Sequence, residues 1–473
     1  MTTRALAAGW ILGGAWLSSC AVGPDYHAPA PIAGSQGPLL GTTEAQAAAT
    51  EPPQTWWRLY QDPVLDDLVR EAFRANTDLA VAAANLSAAR ASLEAARTAR
   101  YPQTEFGAGT ERARDPTTDE ILEFGGHPPQ TFWFYDALLD VSYEVDLFGH
   151  VRRAIEAAHA DADAAIAARD VVKITVAAET TRAYAQACAL GEAIAVTRRS
   201  IDVVSHEERI TVDRRDAGAA ADFDVVRAQA LVAQVRASLP PLIGQRQSAL
   251  FQLAQLLGRP PGGAPDPAQA CVQPPTLKAL LPVGDGATLL ARRPDVRLAE
   301  RRVASATARI GVATADLYPR ISLLGSYGSV AVQPSQIFES AGVTWGIGPS
   351  IKWSFPNQSP VRARIHQARA GEQAAVAGFD GVVLSALKET DQSLATYAAE
   401  LARRQDILTA RDRARQAFDM ANDQFLAGAT SNLDLLNAEV TLVSAEAAVA
   451  ASDGALAQDQ IGVFKALGGG WQP

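Results

Sequence analysis

A chain of 473 residues with a formal net charge of −10 and 48% hydrophobic side chains has enough apolar surface for a large core. Its acidic balance and the lack of any block of five like charges exclude nucleic acid as a partner class. The six histidines are scattered and none of the three cysteines sits in a CxxC or Cys/His cluster, so neither a metal nor a cofactor is expected.

The amino terminus reads as an address. Arg4 supplies a positive n-region and Ala5 to Trp16 an apolar run too short to span a membrane as a helix. Leu17-Ser18-Ser19-Cys20 resembles a bacterial lipobox, which predicts a signal peptide over 1–19 and acylation at Cys20. Ala21, rather than Asp, after the cysteine favours the outer membrane. The Pro-, Gly- and Ala-rich stretch Ala21 to Pro53 reads as a tether. Order starts at Trp56-Trp57, so residues 20–64 form a lipidated tether and the start of an equatorial region.

A first repeat is expected over 65–258. Leu65, Leu68, Val69 and Phe73 mark a short helix, and Asp78 to Tyr101 an alanine-rich one stopped by Pro102. Strands follow at about 103–113 and 134–148. From Tyr135 to Leu147 apolar and polar residues alternate with period two. Asp115 to Gln130 would connect them. A long helix over 151–217 has no proline, and a further helix is expected over 222–257. A kink is predicted at Pro240-Pro241. Cys188 lies in the long helix and Cys271 in the Pro-rich linker 259–285, which should wrap the helical body; a bridge between them is left open.

The second repeat, 286–473, says almost the same thing again. Asp78 to Tyr101 and Asp295 to Tyr318 are both 23 steps, an offset of 217. Gly218-Ala219 and Asp224 recur as Gly428-Ala429 and Asp434 at an offset of 210. Strands are expected at about 320–331 and 343–355, a long helix over 361–427, a helix over 431–467 and a short tail. Each long helix would span about 100 Å. Gly218 and Gly428 should reverse the chain at one far tip.

Strands of this kind suit a membrane barrel, polar inward and apolar outward. Asp136, Asp140, Glu144 and Asp146 would then face a water-filled lumen. Four strands cannot close, and an open edge in lipid leaves N–H and C=O groups unsatisfied. Several chains must each contribute four, so a dimer would give 8 strands and a trimer 12.

Cys20-Ala21-Val22-Gly23-Pro24-Asp25-Tyr26, Trp56-Trp57, Asp62-Pro63, Arg293-Pro294-Asp295-Val296, Tyr318-Pro319 and Ala466-Leu467-Gly468-Gly469-Gly470-Trp471 resemble the outer membrane factor family, closest to TolC-like efflux lipoproteins of the NodT type. The resemblance covers essentially all of the mature chain. It implies a mainly α chain that forms a homotrimer: a 12-strand outer-membrane barrel continued by a 12-helix periplasmic α-barrel. In that family the duct belongs to a tripartite efflux pump of Gram-negative bacteria. A periplasmic adaptor (membrane fusion protein) and an inner-membrane transporter, most often of the resistance-nodulation-division class, complete it. The resemblance places a gate at the tip. Asp434 matches a pore-lining carboxylate, while Asn437 stands where a second is usual. Asp224 matches a latch position. Phe425 and Thr430 replace the latch tyrosine and arginine, so those bonds cannot carry over. The bland alternative for Asp434 and Asp224 is a carboxylate favoured by a helix N-terminus.

An enzyme finds no support, for there is no P-loop, GxSxG or HExxH motif. A non-conducting periplasmic helical lipoprotein would explain the lipobox and long helices but not the paired strands. The same fold serving type I or ABC-driven secretion stays open.

Overall fold

The computed structural model describes residues 21–41, 47–48, 50, 52–113, 131–277 and 280–469. Cys20 and the leader before it, the expected connection Asp115 to Gln130, and Trp471 lie outside the described residues.

In chain order the elements are β1 (Ala47–Ala48), a 3-10 turn (Trp56–Tyr60), α1 (Pro63–Ala75), α2 (Thr77–Thr98), β2 (Gln103–Ala113) and β3 (Phe132–Val145). Then come α3 (His150–Asp216), α4 (Asp222–Ala237), α5 (Leu239–Leu256), α6 (Asp266–Ala270), β4 (Leu281–Pro282), α7 (Gly286–Arg292) and α8 (Pro294–Ala315). The chain closes with β5 (Arg320–Ala331), β6 (Val343–Lys352), α9 (Ser359–Leu426) and α10 (Asn432–Ala466).

Local chemistry sets these boundaries. Asp62 accepts the N–H groups of Val64 and Leu65 at 2.9 and 3.2 Å, and Pro63 presets the first helical φ, so α1 begins there. Asn76 ends α1 and accepts the Leu79 N–H at 3.1 Å to start α2. The long helices α3 and α9 run 67 and 68 residues, about 100 Å each. Both end in a left-handed glycine, Gly218 at φ +74° and Gly428 at φ +72°. The Ala219 N–H reaches the Arg214 carbonyl at 2.7 Å and the Ala429 N–H reaches that of Gln424 at 2.8 Å, the same C-terminal lock twice. The diproline does more than kink its column: the helix is interrupted at Ser238, and Pro240 and Pro241 fall in the first turn of α5, where missing N–H groups cost least.

Packing divides the chain into two compact units. The first comprises the described residues of Met1–Pro29, with Leu86–Ala165 and Ala299–Phe379. It contains the antiparallel sheet β2-β3-β5-β6. Paired residues share a face, so Glu105, Asp140, Ser326 and Gly346 line up across the sheet, and so do Glu144, Ser322 and Ser350. On the other face stand Phe106, Leu139, Tyr327 and Trp345. That apolar face is open: Phe106 is 70% exposed, and Trp345 and Ile347 are each 72% exposed. Among the described residues no strand pairs with the outer edge of β2 or of β6.

Two strand ends differ from the alternation. β3 stops at Val145 because the Asp146 carboxylate turns to accept the N–H groups of Val151 and Arg152, at 3.0 and 2.8 Å, and caps α3. β6 stops at Lys352. Beyond it the Trp353 ring donates its N–H to the Leu317 carbonyl at 3.0 Å and stacks on Phe355 at 4.6 Å.

The second unit holds Ala30–Asn85, Ile166–Leu298 and the described residues of Asp380–Pro473. Its core gathers Trp56, Trp57, Leu65 and Val69 against Leu253, Leu281, Leu394 and Phe464, with Trp56 stacked on Phe464 at 4.8 Å. Leu281, Val283, Ala264 and Ala268 show that the linker packs into this core. β1 and β4 pair in parallel there, and Cys271 is disulfide-bonded to Cys188 of α3, 83 positions away. By length and apolar composition α10 could cross a membrane. Two of its charged side chains instead find partners in the same unit: Asp453 with Arg404 at 2.6 Å, Lys465 with Glu179 at 2.9 Å.

Candidate functional site

Three regions carry chemistry. The first is the sheet. Asp136, Asp140 and Glu144 lie on one face of β3 together with Glu105 of β2. Glycine keeps that face low: a Cβ at Gly109 would lie 3.0 Å from an Asp136 carboxylate oxygen, and one at Gly328 would lie 2.1 Å from the Ala137 carbonyl. A polar face backed by an exposed apolar one suits a wall between water and lipid. Asp146 leaves this set, since it stands past the strand and caps α3.

The second region fixes the tether in the first unit. The Val22 N–H donates to the Phe148 carbonyl at 3.2 Å. Arg153, its side chain 6% exposed, donates to the Val22 and Gly23 carbonyls and to the Asp25 carboxylate at 3.3, 3.4 and 2.7 Å. Hydrogen bonding and charge from that guanidinium hold Asp25 below the usual carboxylate range. The backbones touch: a Cβ on Gly149 would meet Ala21 at 2.8 Å, and one on Gly23 would meet the Gly311 Cα at 2.5 Å. Ala21 therefore sits where β3 hands over to α3. Nothing in the sequence singled out Arg153; only its place one turn after Gly149 hints at the role.

The third region is the pair of reversing turns in the second unit. Asp434 is exposed and accepts from the hydroxyls of Ser431 and Thr430 at 2.6 and 3.1 Å, while its own N–H reaches the Ser431 hydroxyl at 3.2 Å. Those hydroxyls hold its carboxyl below the ordinary value. Asp224, half-buried, accepts the Ala221 N–H at 3.3 Å. Each carboxylate thus bonds within its own turn. Asn437 is exposed on α10. Phe425 is buried, with the Arg214 guanidinium over its ring at 4.4 Å, so the ends of α3 and α9 meet through a cation–π contact. Thr430 stands where the family resemblance places an arginine, and this chain's arginine approaches Phe425 from α3 instead. Sequence reasoning missed Arg214, although a basic residue in the last turn and an aromatic three before the second glycine were both visible.

Long helices joined to a sheet that is polar on one face and apolar on the other suit a membrane channel protein. The sequence profile of the outer membrane efflux protein family matches residues 68–259 and 287–469, one stretch in each repeat, and the chain belongs to that family. It is 30% identical over 458 residues to the pyoverdine export outer membrane protein OpmQ of Pseudomonas putida, covering 95% of this chain and 94% of that one. To the outer membrane protein OprJ of Pseudomonas aeruginosa it is 30% identical over 461 residues, 96% of this chain and 94% of that one. Among solved structures the outer-membrane channel OprN superposes with a TM-score of 0.86 at 34% identity, over 96% of this chain and 100% of that one. The open state of the Neisseria gonorrhoeae MtrE outer membrane channel gives 0.83 at 26% identity, over 96% and 99%. The chain is an outer-membrane efflux protein, in a family whose work is transport.

Proposed function

We propose that three copies of this chain close a 12-strand barrel in the outer membrane and act as a passive duct for small molecules leaving the periplasm. The carrying observation is the four-stranded sheet, with an exposed apolar face and two edges unpaired among the described residues. Lipid cannot satisfy those edges; other copies can. The similarity to OprN and MtrE supports the same reading. A periplasmic adaptor and an inner-membrane transporter of the resistance-nodulation-division class complete the pump. Cys20, outside the described residues, carries the lipid. Arg153 and the Gly149–Ala21 contact would hold that anchor beside the strand-to-helix junction.

Asp434 rings the constriction at the tip, with Asp224, Asn437 and Phe425 nearby. Hydrogen bonds from Ser431 and Thr430 favour its charged form. Three such charges in a narrow pore attract cations, an effect that salt screens. Asp136, Asp140 and Glu144 line the barrel lumen. In planar bilayers Asp434→Asn should lower the preference for cations over anions several-fold at low ionic strength. Unchanged reversal potentials would remove Asp434 from the pore wall. The exposed apolar sheet weighs against a non-conducting periplasmic lipoprotein.

A further inference from the structure

A cavity of about 510 Å³ lies in the second unit, between α3, α9 and α10. That is the size of pockets that enclose drug-like molecules. Glu439 of α10 lines it, is only 1% exposed, and has no hydrogen-bond partner for either carboxylate oxygen among the described residues. Glu192 of α3 adds one buried oxygen without a hydrogen-bond partner among the described residues, although the charges of Arg199 and Arg404 act on this carboxylate. The rest of the wall mixes apolar side chains, among them Val196 and Val203 of α3, Phe418 of α9, and Leu442 and Val443 of α10, with Arg199, Arg411, Arg415 and Glu446.

The charged groups around Glu439 do not neutralise it. Glu207 of α3 repels it. From α9, Arg415 is paired with Glu446 of α10, and Arg411 is hydrogen-bonded to Asp412 at 2.7 Å. Arg199 of α3 lines the cavity as an exposed residue. A buried carboxylate without a partner is unfavourable unless a proton or a cation neutralises it. A proton alone would need no cavity. A bare metal ion would need more oxygens than Glu439 and Glu192 offer. An uncharged apolar ligand would leave the carboxylates unanswered.

We propose that each chain binds one lipophilic organic cation in this pocket, its charge against Glu439 and its apolar body against Val203, Phe418 and Leu442. Phe418 also presents a ring to the positive charge. The pocket is built within one chain and so stands independently of the duct reading. Burial and Glu207 push the Glu439 carboxyl up to about 7. The cation therefore competes with a proton, and binding weakens as pH falls through that value.

The test is calorimetric titration of the purified full-length protein in detergent with tetraphenylphosphonium, and with tetraphenylborate as an anion of the same shape. We expect saturable binding of one phosphonium per chain at about pH 8, weakened about tenfold or more by Glu439→Gln and by acidification to about pH 5.5. Glu192→Gln, on another helix, should weaken it in the same direction and serves if the first variant folds poorly. Tetraphenylborate should not bind. Absence of saturable phosphonium binding, equal affinity in the variants, or preference for the borate would overturn the proposal. A protein that binds phosphonium but does not conduct would sink the duct and leave this pocket standing.

Discussion

Carboxylates of one chemistry take different work here according to what surrounds them. Asp146 continues the polar face of β3 in sequence but caps α3 in space, because the strand ends one residue earlier and N–H groups are within reach. Alternation alone could not distinguish these outcomes. Glu439 was legible in principle. Leu435, Leu436, Glu439, Leu442 and Val443 follow helical spacing, so the carboxylate falls on the apolar face. Its consequence for stability has a definite sign. The folded carboxyl titrates at about 7, against an ordinary 4.5. The folded state therefore keeps a proton that the unfolded chain releases between those values. This contribution is fully present below the ordinary value and is lost as pH rises through about 7. Thermal unfolding should show Tm falling between about pH 5 and pH 8 more steeply in the wild type than in Glu439→Gln. Parallel pH dependences in the two proteins would show that Glu439 is not buried as a neutral acid.

At the level of elements, helix existence and type were the most legible part, because alanine-rich runs without proline leave few alternatives. The reversing glycines were equally visible, and both adopt the left-handed φ that L side chains avoid. Ends were less so. The interruption at Ser238 depends on which side of a diproline the chain restarts, and the end of β6 depends on Trp353 finding the Leu317 carbonyl. Neither is a property of local pattern. The link between repeats reads as a wrapping segment, yet it contributes Leu281 and Val283 to the core and is tied to α3 by the Cys188–Cys271 bond. Spacing could not pair those cysteines; their meeting is tertiary. Closing a loop of this length should contribute about 2–4 kcal/mol. Cys271→Ser is therefore expected to lower the denaturant midpoint and to expose the linker 259–285 to limited proteolysis. An unchanged midpoint with an intact linker would mean that the packed core alone holds it.

For the whole molecule, the duplication was plain in the sequence, and the family profile falls on two stretches that follow it. Among the described residues the sheet does not close on itself. It runs β2-β3-β5-β6, and among those residues no further strand joins it. In the proposed barrel the partner for each outer edge comes from another copy, which no single sequence displays. Exposed Phe106, Tyr327, Trp345 and Ile347 need covering too, and in the proposed barrel lipid covers them. The most direct measurement is the mass of the detergent-extracted protein by light scattering, corrected for bound detergent. The account predicts three chains per particle, enough strands to close a barrel. A particle of one chain would leave both edges open in lipid and contradict it.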